Sequence, residues 1–445
     1  MCRKIFCWLL ILIILMMFAS FAGMAKDNFE WVTSDRIGNP DAPIVITWRV
    51  QGGYSLQSTS EARVNYLKKA SEEWARRHPN VRIDLQVFGG STDVVMSKLL
   101  LEAKEGRAPD ISQIDSFYVP RFYDYLPNMD QYFTKEEIND WFDYCREEAM
   151  IGPEGHLRSL WFTTDVRVLW YRKDLVPTPP KTWGELIEMA SRISKQEQGV
   201  WGLAYPAGRG EGTMMEAFLP GFWSLGGLLV DETGRPIFGE GRNREAALKV
   251  LNFIKETIDS GATPSQVAEY VGSTQMNSLV AAGQVAMFLA ANGYRNSLVG
   301  ILGPEEAEKW EVAPLPIPEG GFVTSTAGGW NWGFFSEDPV KRALAIDFIL
   351  NVYAGSKGSP GWCEAGGYLP PRKSVYEYYH YFASNPEIQK FMEYLKTAKA
   401  RPGAVIYPEI SRQIQIAVGE VIVGTKSPEK ALQTAWEDVL HAYEK

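Results

Sequence analysis

Val81-Arg82-Ile83-Asp84-Leu85-Gln86-Val87-Phe88 is the stretch on which the fold turns. Val81, Ile83, Leu85 and Val87 alternate with Arg82, Asp84, Gln86 and Phe88, the period of two that sends successive side chains to opposite faces of a strand. Upstream, the β-rich run Ile44 to Val50 ends in the loop Gln51-Gly52-Gly53. Val64, Leu67, Ala70 and Trp74 then share one face of a helix that His78-Pro79-Asn80 stops. Downstream, Gly89-Gly90-Ser91-Thr92 turns into a second helix through Val94, Val95, Lys98, Leu99 and Glu102, and Gly106 to Pro109 leads into a short strand, Ile111 to Ile114. The succession is βαβαβ, which calls for parallel strands joined by right-handed crossovers. Ligands of such sheets sit beyond the carboxyl ends of the strands, where loops converge. That nominates Gln51 to Tyr54, Gly89 to Thr92 and Asp115 to Tyr118.

The alternation of strands and helices continues. Thr182-Trp183-Gly184-Glu185 reads as a capping box, the threonine hydroxyl accepting a helix N–H and the glutamate returning to the threonine's own N–H, with Leu186, Ala190 and Ile193 inward. Gly283 closes a helical stretch ahead of the β-like run Val285 to Leu289. Ser336 is expected to cap a helix carrying Val340, Leu344 and Phe348, and Ser427-Pro428 starts a last helix with Leu432, Trp436, Val439 and Tyr443 inward. No internal repeat or low-complexity segment interrupts the pattern.

At the N-terminus, Arg3 and Lys4 precede an unbroken apolar run from Ile5 to Phe18, followed by Ala19, Ser20, Ala22, Gly23 and Ala25. This reads as a secretory signal peptide, residues 1–25, cleaved after Ala25; the Ser20/Ala22 frame is the other possibility, and an uncleaved anchor the alternative to cleavage. The run is shorter than the roughly 18 to 20 residues that span a bilayer. Neither Cys2 nor Cys7 lies at its end, where lipid anchoring would need a cysteine. The roughly 420 residues beyond the leader exceed what one hydrophobic core usually supports, so two lobes are expected.

Charge and rare residues exclude several chemistries. The formal net charge is −9, and removing Arg3 and Lys4 with the leader makes it more negative, which disfavours nucleic acid as a partner. Beyond the leader only Cys145 and Cys363 remain; one disulfide or two free buried thiols both fit. His78, His156, His380 and His441 never approach a metal-ligand spacing, so no metal and no cofactor is expected. No G-x-S-x-G elbow occurs, and Gly208 to Gly212 lacks the Lys-Ser/Thr of a phosphate loop, reading instead as a flexible loop near a cleft.

Several local patterns resemble, in order, those of the family 1 extracellular solute-binding proteins, the maltose and multiple-sugar group. Ala108-Pro109-Asp110-Ile111 is similar to the family's pre-strand turn. Leu169 to Leu175 (Leu-Trp-Tyr-Arg-Lys-Asp-Leu), followed by Pro180-Lys181-Thr182-Trp183-Gly184-Glu185-Leu186, resembles its tyrosine-asparagine-lysine-aspartate segment and the helix start after it, with Arg172 replacing the usual asparagine. Gly283 to Met287, Gly328-Gly329 with the helix after Ser336, and Gly367-Tyr368-Leu369-Pro370-Pro371 are also similar, and the resemblance spans roughly residues 44 to 440. It implies an α/β, periplasmic-binding-protein-like fold of type II, two α/β lobes crossed by three segments near Thr164 to Arg167, Gly329 to Phe334 and Leu369 to Arg372. The N-terminal lobe would comprise 26–164 with 334–369, and the C-terminal lobe 165–333 with 370–445. The function implied is the extracytoplasmic binding component of an ABC importer, periplasmic or extracellular and monomeric. It would carry a sugar or oligosaccharide to separate membrane permease and ATPase subunits, without catalysis.

A sugar cleft needs flat aromatics against C–H faces and planar polar groups for paired hydroxyls. Aromatics make up 13% of the chain and all but one of the 15 tryptophans lie beyond the leader, so some are expected to serve the ligand. The resemblance favours Trp223, in the loop after Pro220-Gly221-Phe222, as the stacking residue, and Tyr294 after Asn292-Gly293. Trp330, Asn331 and Trp332 lie in the second crossing, where alternation puts the two tryptophans on one side and Asn331 on the other. Trp362 and Tyr368 border the third. Core packing is the competing reading of each ring. Asp115 and Asp165 stand where the family places carboxylates on sugar hydroxyls, with helix capping or a surface pair as the alternative. Gln51, Ser91 and Thr92 support them. Arg121, Arg167, Arg209 and Arg295 leave an anionic sugar open. Rival readings are a binding protein for a polyamine, glycerol phosphate or peptide, and a secreted glycosidase, which would also combine aromatics with paired carboxylates.

Overall fold

The computed structural model describes residues 29–90 and 92–445; the expected signal peptide and Ser91 lie outside the described residues. Ten strands form one sheet: β1 (Arg36–Gly38), β2 (Ile44–Gln51), β3 (Val81–Phe88), β4 (Ile111–Asp115), β5 (Ser159–Arg172), β6 (Trp201–Ala204), β7 (Val285–Ala291), β8 (Trp310–Ala313), β9 (Ser325–Phe334) and β10 (Ala398–Lys399). Their order is β1-β3-β2-β4-β9-β5-β7-β6, with β8 on β5 and β10 on β9. The opening βαβαβ forms as read: β2 pairs in parallel with both β3 and β4, and helices Glu61–Arg77 and Thr92–Lys104 make the crossovers. Both halves of the chain mix helices with this sheet, the α/β class expected.

Two long strands join the halves. β9 and β5 pair antiparallel from Ala327↔Val166 to Gly333↔Ser159, with a register shift between Trp330 and Asn331. Trp330 to Phe334 also pair with β4, whereas Arg167 to Tyr171 pair with β7, so each strand serves a different half at each end. The register therefore begins the shared stretch of β9 at Ala327, ahead of the expected crossing Gly329 to Phe334. Thr164 ties three segments together. Its N–H donates to Leu369 O at 2.9 Å and its hydroxyl to Gly328 O at 3.1 Å.

Helix starts follow the sequence in kind more than in detail. Thr182 caps Trp183–Gln196 by accepting from Glu185 N at 3.2 Å, but the glutamate accepts from Lys181 N at 2.7 Å and not from Thr182. Helix Pro339–Ile349 is capped by Asp338, not Ser336: its Oδ1 accepts from Val340 N at 2.8 Å, and its charge suits the positive helix end. Phe348 on that helix is buried, whereas Val340 is exposed. Ser427 caps the last helix as read, with Val439 buried, but Tyr443, expected inward, is exposed.

Under the helix-covered face lies an aromatic core. Trp48, Phe162, Trp332, Tyr353 and Trp362 are all fully buried; Phe162 and Trp332 stack at 4.7 Å, and Tyr353 meets Trp332 at 5.1 Å and Trp362 at 4.8 Å. Rings of this size each remove roughly 150–250 Å² from water, so this cluster anchors the half that carries β2 and β4. Cys145 and Cys363 are free and buried. No described helix is long and apolar enough to cross a membrane.

Candidate functional site: a cavity at the strand junction

Where β5 and β9 pass between the halves, a cavity of about 240 Å³ opens. Thr163 to Asp165 and Arg167 line it from β5, and Gly328 to Trp330 from β9. Glycine is obligatory at 329, because a Cβ there would stand 2.1 Å from Thr163 O and 2.2 Å from the Trp161 indole nitrogen. Its absence lets the strands close while Asp165 reaches across. The Asp165 carboxylate accepts from Gly328 N at 2.8 Å and from the Arg167 guanidinium.

Charge is arranged in two sets, each a guanidinium between two carboxyls. Arg167 lies between Asp165 and Glu216, with its Nε 3.5 Å from Glu216 Oε1. Glu216 sits on a π-helical turn, Thr213–Phe218, a backbone irregularity often found at functional sites. Burial pushes its carboxyl up to about 7 against the pull of Arg167, and its Oε2 has no hydrogen-bond partner among the described residues. Arg401 donates to Asp115 Oδ1 at 2.7 Å and to Glu211 Oε2 at 3.2 Å, with its guanidinium 4.1 Å from the Phe117 ring centre. Glu211 also accepts from the Tyr407 hydroxyl at 2.9 Å and from Ser411. Burial raises Asp115 to about 6, outweighing Arg401.

Three aromatics complete the wall. Tyr54 and Tyr368 stack at 5.4 Å with 9° between planes, and Trp330 stands 6.2 Å from Tyr54. Among the residues nominated from sequence, Asp115, Asp165, Trp330 and Tyr368 meet here. Arg167, weighed from sequence for an anionic sugar, lines it too, whereas Gln51, Thr92, Trp223, Tyr294, Asn331, Trp332 and Trp362 do not; Ser91 lies outside the described residues. Trp332 and Trp362 belong to the aromatic core, and Asn331 is fully buried, its Oδ1 accepting from Ser159. Trp223 lies on helix Leu219–Ser224 at 4% exposure, packed in the core instead of presented on a loop. Tyr294 starts a helix, its hydroxyl donating to Asn277 at 2.6 Å and its ring 4.7 Å from Phe288. Gln51 ends β2 with its N–H on Gln113, and Thr92 begins its helix.

Sequence reading named Tyr54 and Thr164 only as ends of a loop and of a crossing, and it missed Thr163, Glu211, Met215 and Arg401 on the wall and Glu216 beside it. Glu211 and Gly212 carry the one available signal, the glycine run at 208–212. Glycine in that run permits close packing against the chain at 270–272, since a Cβ at Gly210 or Gly212 would meet Val271 O at 2.6 or 2.7 Å. Arg295 is held by Glu387 and by the carbonyls of Ala307 and Trp310. No group of residues suited to a metal ion occurs among the described residues. Flat rings, carboxylates and forked guanidinium donors at one junction suit a small polyhydroxylated ligand.

The profile of the bacterial extracellular solute-binding protein family matches residues 58–354. A probable ABC transporter-binding protein of Deinococcus radiodurans is 26% identical over 384 residues, covering 82% of this chain and 88% of that protein. A mannitol-binding protein of Pseudomonas aeruginosa is 29% identical, covering 66% and 72%. Among solved structures, maltose-bound MalE3 of T. maritima superposes with a TM-score of 0.73 at 23% identity, covering 90% of this chain and all of that one. The cyclic alpha-maltosyl-1,6-maltose binding protein of Arthrobacter globiformis gives 0.73 at 20%, covering 89% and 98%.

Proposed function

This chain belongs to the bacterial extracellular solute-binding protein family, and from that premise we propose that it is the binding component of an ABC importer for a sugar or oligosaccharide. The observation that carries the reading is the junction cavity, in which Tyr54, Trp330 and Tyr368 meet Asp115 and Asp165 between the halves. The rings cover C–H faces of the sugar and the carboxylates accept its hydroxyl protons. The lobes are 26–164 with 334–369 and 165–333 with 370–445, and they close on the ligand through torsions in the crossing segments while each packed half moves rigidly. The loaded protein, outside the cytoplasmic membrane as a monomer, delivers its sugar to separate permease subunits without transforming it. The named relatives favour a sugar over other solutes, since one binds mannitol and two solved neighbours bind maltose or a cyclic maltosyl-maltose.

Thermal unfolding against a panel running from mannitol and maltodextrins to polyamines, with product analysis, tests this. A raised midpoint with a carbohydrate and no product supports it; a shift with polyamines alone, or release of reducing ends, overturns it.

A further inference from the structure

Four carboxyl groups share two guanidinium groups: Asp115, Asp165 and Glu211 on the cavity wall, and Glu216 beside it against Arg167. Both terminal nitrogens of Arg401 are taken, one by Asp115 and one by Glu211, and Arg167 lies between Asp165 and Glu216. Each cation is thus already matched by two carboxyls, although the Nε of each has no hydrogen-bond partner among the described residues, so the set as a whole carries more carboxyls than cations. Arg63, stacked 4.8 Å from the Tyr368 ring centre, donates through its two terminal nitrogens to the carbonyls of Gly53 and Gly366, and Arg295 is held by Glu387 and two carbonyls. The carboxylates are less exhausted. Asp165 keeps 36% of its side chain exposed, and Glu216 Oε2 is buried and unpartnered among the described residues. Asp115 and Asp165 are also near enough to repel one another.

Resting on the sugar reading above, we propose that the cavity ranks its sugars by charge, an amino sugar above a neutral sugar and a neutral sugar above a uronic acid or sugar phosphate. An ammonium beside Asp165 relieves the excess of carboxylate and faces the rings of Tyr54 and Trp330, whose π-faces attract cations. A ligand anion adds a further negative group where carboxyls already outnumber the cations.

The probes are glucosamine, glucose and glucuronate, three forms of one ring, titrated calorimetrically at pH 7 beside maltotriose, mannitol and spermidine. Glucosamine is expected to bind at least tenfold tighter than glucose, and glucuronate not measurably. Raising NaCl should weaken glucosamine and leave glucose unchanged. Asp165→Asn should bring the glucosamine-to-glucose ratio toward one; if that variant does not fold, the salt titration decides. Equal affinity for glucosamine and glucose, binding of glucuronate, or binding of maltotriose or mannitol without any of the three hexoses overturns the ranking and leaves the sugar reading standing. Silence from every sugar, with or without spermidine binding, overturns both.

Discussion

Arg401 donates to Asp115 at 2.7 Å, tying the segment after β10 to the end of β4 through two buried side chains. The same guanidinium holds Glu211, so one residue near the C-terminus fixes two carboxylates of the cavity wall. Arg401→Ala leaves both without their cation. A loss on the order of 3–5 kcal/mol is expected, because breaking a buried pair strands a charge, and it is read as a fall in the denaturation midpoint. Arg401→Lys should lose less than alanine yet more than a surface change, since an ammonium cannot fork to two partners.

Stability should fall as pH rises. Glu216 titrates near 7 and Asp115 near 6 in the folded protein, whereas both titrate near 4 in an unfolded chain. Across that window the folded state holds protons that the unfolded chain has released. Their contribution is therefore complete below about pH 4 and is lost as the pH climbs through the folded values. For Glu216 the loss is on the order of 3 kcal/mol by pH 8. Glu216→Gln should flatten the melting curve between pH 5 and 8; an unchanged slope would remove Glu216 as its source.

Two tryptophans separated by one residue should behave oppositely. Trp332 is fully buried against Phe162 and Tyr353, so Trp332→Ala should destabilise by about 3–5 kcal/mol. Trp330 stands at the cavity, half-buried, and its alanine variant should fold with a smaller loss. Denaturant titration of the two variants separates them; equal losses would return Trp330 to the core.

Cys145 and Cys363 should be silent toward alkylating reagents in the native protein. Burial holds both thiols well above their ordinary range, which suppresses the reactive thiolate. Labelling by mass spectrometry should show no adduct natively and two beyond the leader after unfolding.

The opening of the fold was legible because β3 alternates in sequence and each helix ends just before a proline or glycine, Pro79 and Gly106. Patterning also reached Asp115, since it follows the apolar end of β4, and Trp330 and Tyr368 through the resemblance. It failed where one residue type serves two environments: Trp223, Trp332 and Trp362 are tryptophans beside glycines, as Trp330 is, and only packing tells them apart. Arg401 carried no local signal. Its partners, Glu211 and Asp115, lie far away in sequence, and only the tertiary fold brings them together.

Calorimetric titration of the wild-type chain and of Trp330→Ala, with a sugar that raises the melting point, tests the central claim most directly. Saturable one-to-one binding without product is expected, weakened by roughly 1–3 kcal/mol when the ring is removed. Unchanged affinity in a folded Trp330→Ala variant, or heat accompanied by released reducing ends, would contradict a sugar held at this junction.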